Sequence, residues 1–315
     1  MTEPNAIPAA AQSPLPLVPQ PTPPSRGQAR EVWRQFSTHR GAMVGLIIFV
    51  LILLFVGVGP WIWRLDPTYV DVRARNLGFT PAHPLGTDQL GRDILARMMA
   101  GGRTSLSVGL VAMAIALTLG SLIGLLSGYF RRLDAPLMRL TELFLALPLL
   151  PLLLLMVTLF REPLGKSLGP AGGTFLLIVI AIGATSWMQT ARIVRGDVLG
   201  LKQREFITAA QSIGTSAPRM LTRHVLPNVI SPIMVAATLG IATAIITESA
   251  LSFLGLGFPP DFPTWGRLLF DAIDQMQMYP WRVILPGALI SLAVLSVNYI
   301  GDGLRDAMDP RIRGR

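Results

Sequence analysis

Residues 41–63, GAMVGLIIFVLILLFVGVGPWIW, run for 23 positions without one ionisable side chain. A stretch of about 20 such residues is long enough to cross hydrocarbon as a helix and too long for the buried helix of an ordinary soluble core. It is not isolated: residues 104–130 and 143–160 are also uncharged. Charged residues make up only 14% of the chain against 51% hydrophobic, where a soluble domain carries roughly a quarter charged. Further apolar stretches within 174–191, at about 229–254 and at 283–301 bring the expected spans to six. In lipid every backbone polar group has to be paired internally, so an all-α membrane protein is expected. Pro148, Pro151, Pro232 and Pro286 fall in or beside these spans. Prolines are tolerated in membrane bundles because neighbouring helices re-satisfy the freed groups.

The net charge of +9 could suit nucleic acid, but charge sorting across a bilayer explains it without such a partner. With the N-terminus inside, segments 1–40, 131–139, 192–223 and 302–315 hold 17 of the 27 Lys and Arg, and the outside segments hold 10. The bias places both termini in the cytoplasm. Residues 1–30 contain eight prolines and read as a disordered cytoplasmic tail. The tail is too long and proline-rich for a cleaved signal peptide, so export relies on an uncleaved first span. The chain has no cysteine, which removes disulfides, thiolate metal sites and thiol nucleophiles.

Within the second span, Ala112, Ala116, Gly120, Gly124 and Gly128 recur every four residues. Such a stripe lets another helix approach closely and argues for a tight bundle. Two acids stand out. Glu142 follows Arg139 by three residues, the spacing of a local ion pair on one helix face. Glu248 lies deep in the fifth apolar stretch, where a carboxylate is costly and faces a bundle interior or an aqueous path. It marks either the translocation path or a subunit interface, or else a structural hydrogen bond to a neighbouring helix.

Several motifs lead nowhere. PLGKS (163–167) lacks the glycine of a phosphate loop, since Phe160 stands five positions before Gly165. GTDQLGRD (86–93) has no calcium-loop spacing and reads as a turn stapled by Asp88, Arg92 and Asp93. His39, His83 and His224 are scattered, with no metalloprotease or carboxylate–histidine pattern. Neither a Ser–His nor a paired-Asp constellation sits inside the spans, so no catalytic residue and no metal ligand is assigned. A gradient-driven transporter would need inverted repeats and coupling-ion groups at mid-membrane, and Glu248 alone does not supply them. Trp265, Tyr279 and Trp281 lie near span ends, the usual place of headgroup anchors. FPPDFPTWGRLL (258–269) reads as an outside loop open to a solute-binding protein.

The interruption EFITAAQSIGTSAPRMLTRHVLPN (205–228) falls in the longest inside loop. Glu205 opens a short helical pattern, Gly214 suits a left-handed stop, and Ser216 with Pro218 suits a second start. Two short helices closed by Pro227 are expected on the membrane face, where Glu205 and the basic Lys202, Arg204, Arg219 and Arg223 can fix a partner's register by charge. The spacing E-x-x-x-A-A-x-x-x-G followed by H-V-L-P-N resembles the EAA loop of ABC importer permeases. Its matching residues are Glu205, Ala209, Ala210, Gly214, Leu226 and Pro227. HPLGTDQLGRDILARMMAGGRTSLSVGL (83–110), ESALSFLGLGFPPDFPTWGRLL (248–269), GDGLRDAMDP (301–310) and FSTHRGAMVGLIIFVLI (36–52) resemble hallmarks of one branch of these permeases. That branch is the second, C-type membrane subunit of the dipeptide/oligopeptide/nickel family.

The resemblance implies a type I ABC importer transmembrane domain with six transmembrane helices, in a bacterial plasma (inner) membrane. It divides the chain into the tail 1–30, an N-terminal extension 31–102 with the first span, the permease domain 103–305 containing the coupling loop 202–228, and a cytoplasmic tail 306–315. It implies a heterodimer with a sister permease, two cytoplasmic ABC ATPase subunits and an extracytoplasmic solute-binding protein. ATP and Mg would be bound by the ATPases, and no cofactor by this chain. Dipeptides or oligopeptides are the expected cargo, with nickel or another small solute as the alternative.

Overall fold

The computed structural model describes residues 28–308. The expectations for residues 1–27 and 309–315, the proline-rich tail among them, lie outside the described residues. Gln28–Thr38 forms α1, and His39 caps the next helix by accepting from Ala42 N at 3.0 Å. Helix α2, Arg40–Gly57, continues with a slight break into α3, Gly59–Ile62. An irregular segment then leads to Asp93, which caps α4 (Ile94–Tyr129) by accepting from Ala96 N at 2.7 Å. Helix α4 has 36 residues, so it starts ten residues before the expected span and is about 54 Å long. Among the described residues, five helices or helix runs are long and apolar enough to cross a membrane, and six if a bent pair counts as one.

The bent pair is where the expectation for 143–160 fails. Helix α5, Arg131–Ala146, and α6, Leu149–Leu168, meet at 86°. Pro148 sits at the break in an extended conformation, just before the first turn of α6. A proline there forfeits no helical hydrogen bond, and it disfavours helical geometry at the residue before it. Arg139 and Glu142 are not among the ion pairs of the described residues.

Helix α7, Pro170–Leu201, is the central element. The stripe on α4 packs along it at backbone distance. A methyl group on Gly120 would stand 2.5 Å from the Trp187 carbonyl oxygen, and one on Gly124 would stand 2.7 Å from that of Ala191. Gly183 returns the contact, where a Cβ would meet Ile115 Cβ at 2.9 Å. Val108, Ala112, Ile178 and Ile182 close one end of this seam, with Ala116, Trp187 and Ala191 further along. Helix α10, Leu226–Phe253, packs across α4, and α12, Trp281–Met308, lies between α10 and α2. The short helix α11, Trp265–Ala272, is capped by Thr264 and wedged against α4, α10 and α12.

Two aromatic expectations change. Trp265 is fully buried instead of anchoring at a headgroup, and its Nε1 donates to Met98 O at 2.9 Å. Phe258 is buried too, so much of 258–269 packs inward.

Candidate functional site

At the end of the bundle where α4 and α7 finish, the chain turns through α8, Glu205–Ser212. Lys202 anchors the turn. Its Nζ donates to Tyr129 O at 2.9 Å, satisfying a carbonyl at the α4 terminus where a cation is favoured. It is therefore engaged within the chain. Glu205 opens α8, where its carboxylate complements the helix dipole, and it is exposed.

The two alanines face opposite ways. Ala210, with Ile207, is buried against Val194, Val198, Met220, Val225 and Val229. Ala209 is exposed, as are Phe206 at 45% and Ile213 at 84%. Gly214 stops the helix with φ +78°, and Thr215 N donates back to Ala210 O at 3.1 Å. That bond is the signature of a left-handed helix stop, which a Cβ would strain. Nothing lies within 4 Å of where that Cβ would be, so the backbone and not crowding demands glycine.

The second short helix is not separate. Helix α9, Ala217–Met220, passes through a wide turn at Leu221–Val225 into α10, so Ala217–Phe253 is one 37-residue run. Leu226 and Pro227 are therefore the first residues of α10 and not a closing stop. The wide turn has a cause: the Pro227 ring would clash with the carbonyl four residues back in a regular helix. Ser216 stands at the helix start without a side-chain cap bond.

Beside this loop lies a pair the sequence did not single out. The Asp134 carboxylate accepts from Arg195 Nε at 2.5 Å and Nη2 at 2.8 Å, and from Ser127 Oγ at 2.7 Å. It ties the first turn of α5 to the last turns of α7 and α4. Asp134 and Arg195 stand far apart in sequence, and nothing in their spacing connects them.

At the opposite end, GTDQLGRD folds into a charge cluster. Asp88 Oδ2 accepts from Arg92 Nε at 2.7 Å and also from Arg97. Asp271 of α11 pairs with Arg97 at 3.0 Å and with Arg267 at 2.9 Å. Burial pushes the Asp88 carboxyl up, but Arg97 and Arg92 outweigh it and hold it below the usual aspartate range. Asp93 instead receives His83 Nδ1 at 2.8 Å and Trp63 Nε1 at 3.0 Å.

Glu248 is fully buried between α4, α10 and the start of α11. Its carboxylate oxygens accept from Ser105 Oγ at 2.8 Å and Ser252 Oγ at 2.7 Å, and Ser105 Oγ accepts from Trp265 N at 3.2 Å. The side chain thus bridges two spans from inside by hydrogen bonds. It does not line the cavity of about 460 Å³ that opens between α4, α7, α10 and the break of α5 and α6.

The chain matches known proteins over most of its length. Residues 90–314 match the family described as "Binding-protein-dependent transport system inner membrane component", and residues 27–79 match "N-terminal TM domain of oligopeptide transport permease C". It is 39% identical over 295 residues to the oligopeptide transport system permease protein OppC of Haemophilus influenzae, covering 91% of each chain. It is 38% identical to OppC of Bacillus subtilis, covering 90% of each. It is also 38% identical to the dipeptide transport system permease protein DppC of Alkalihalophilus pseudofirmus, covering 94% of this chain and 97% of that one. Among solved structures, the inward-facing MetNI methionine ABC transporter superposes with a TM-score of 0.55 at 16% identity, over 68% of this chain and 97% of that one. That likeness shows a shared fold. A multi-pass helical bundle with this fold, matched along nearly its whole described length, belongs to the binding-protein-dependent transport system inner-membrane permeases of bacteria.

Proposed function

We propose that this chain is a permease subunit of an ATP-driven, binding-protein-dependent importer of dipeptides or oligopeptides. The relatives' names, oligopeptide and dipeptide permeases, support peptides over nickel. In this reading the chain forms half of a translocation path with a sister permease, and both termini are cytoplasmic. It carries out no catalysis itself. Two cytoplasmic ATPase subunits bind ATP and Mg and hydrolyse the nucleotide, and an extracytoplasmic solute-binding protein delivers the cargo. The proposed coupling residues are Glu205, Ala209, Ala210, Gly214, Leu226 and Pro227.

The observation that carries the reading is the two-faced α8. Ile207 and Ala210 seat the helix on α7 and α10, while Phe206, Ala209 and Ile213 face outward with Glu205 at the helix start. An exposed apolar strip with a charge at one end suits an ATPase groove, the apolar part giving affinity and the charge fixing register. When ATP closes the ATPases, their differential grip on the two states moves α8, and the anchored ends of α7 and α10 move with it. Closure opens the path outward to the loaded binding protein, and hydrolysis returns it inward.

The test is reconstitution of the complete complex with Glu205→Arg. Peptide uptake and ATPase association should fall at least tenfold while membrane insertion is unchanged. Retention of both at wild-type level would remove α8 from the coupling role.

A further inference from the structure

The sharp break in the α5–α6 pair needs an explanation, because no other span among the described residues bends so far. Where α5 stops at Ala146 and α6 restarts at Leu149, backbone carbonyls and amides of the two terminal turns lose their helical partners. Such backbone is tolerated at membrane depth only when it is buried in protein or lines a water-filled cavity. Here Phe144, Leu147 and Leu149 form one wall of the cavity of about 460 Å³. That volume lies within the range of about 300–1,000 Å³ that small ligands occupy.

The facing wall is supplied by α7. Thr185 lines the cavity but turns its hydroxyl back to Ala181 O at 2.7 Å, and Thr243 of α10 likewise bonds Leu239 O at 3.0 Å. Gln189 differs. It is exposed on the cavity wall, three residues before Arg192 on α7, and its side chain has no hydrogen-bond partner among the described residues. Its position makes sense when water or a solute supplies the missing bonds. The lining includes no Lys, Arg, His, Asp or Glu.

We infer that this cavity contacts the main chain of a peptide in transit, with Gln189 as the hydrogen-bonding group. The inference rests on the peptide-importer reading. A primary amide offers two donors and an acceptor oxygen, the complement of a peptide group, which presents one donor and one acceptor. The apolar remainder of the wall receives side chains by contact alone. An uncharged lining of this kind admits cationic and anionic peptides alike, because a fixed charge at the wall would favour one and repel the other.

The experiment compares initial uptake of Ala-Lys-Ala and Ala-Glu-Ala by the reconstituted complex, each loaded to saturation on the binding protein. The wild type is set beside Gln189→Glu and Gln189→Lys. The ratio of cationic to anionic uptake should move in opposite directions in the two variants. Each shift should be on the order of fivefold, the effect of one charge at contact distance across water. An unchanged ratio in both, with ATPase association intact, would overturn the assignment. Wild-type complex that moves neither peptide would instead sink the peptide reading and this inference with it. If the charged variants do not assemble, Gln189→Cys in this cysteine-free chain decides the matter. Peptide-loaded binding protein with ATP should slow its labelling by a water-soluble maleimide, and unchanged labelling would count against the cavity.

Discussion

A carboxylate at membrane depth is tolerated when its lone pairs are filled, and Glu248 shows how. Ser105 on α4 and Ser252 on α10 both donate to it. Replacing it with leucine, Glu248→Leu, would leave two buried hydroxyls without their acceptor, at a cost of about 1–3 kcal/mol. The melting temperature of the purified protein should drop, with Glu248→Gln milder because it keeps an acceptor oxygen. An unchanged melting temperature in Glu248→Leu would contradict the bridging role. Asp88 makes a second residue-scale prediction. Its folded-state affinity for protons is lowered by Arg97 and Arg92 despite burial. The stability it supplies is fully present above about pH 4, the ordinary aspartate value, and is lost as pH falls from there through the lower folded value. The acid limb of a melting-temperature profile should therefore flatten in Asp88→Asn. A limb of unchanged steepness would show that other groups govern acid unfolding.

At the scale of elements, the close approach of α4 and α7 depends on missing side chains. Gly124→Leu would drive a side chain into a space where even a Cβ lies 2.7 Å from the Ala191 carbonyl oxygen and 2.8 Å from Val194 Cβ. Overpacking of this kind costs about 1–3 kcal/mol, so expression and thermal stability should fall well below those of a substitution on the exposed side such as Leu122→Ala. Equal behaviour of the two would mean the helices are not held by the stripe. This seam was legible in the sequence because its signal is local and periodic. So was the stop at Gly214, which needs only one residue in a left-handed conformation. The broken third span was not legible as such. Its apolar run is unbroken in composition, and Pro148 reads equally as a kink or as a boundary until the directions of α5 and α6 are known. The continuity of α9 into α10 was hidden for the converse reason. Pro227 reads as the close of the short helices, and only the wide turn before it shows that the helix passes through.

For the whole molecule, the long-range ties escaped sequence reading because they join residues far apart in the chain. Asp134 meets Arg195 across 61 positions, and Arg97 meets Asp271 across 174. These ties sit at opposite ends of the bundle, one beside α8 and the other beside α11. Between them run α4 and α7, packed at backbone distance, so the proposed coupling would carry a displacement of α8 along a stiff pair. The direction of that transmission starts from one surface: the strip of α8 and its following residue Ile213, 84% exposed. With no native cysteine in the chain, Ile213→Cys gives a single reporter. Its labelling by a membrane-impermeant maleimide in oriented vesicles is the direct measurement. The account predicts labelling from the cytoplasmic side alone, and protection when the ATPase subunits are bound. Labelling from the outer side, or equal labelling with and without the ATPases, would contradict it.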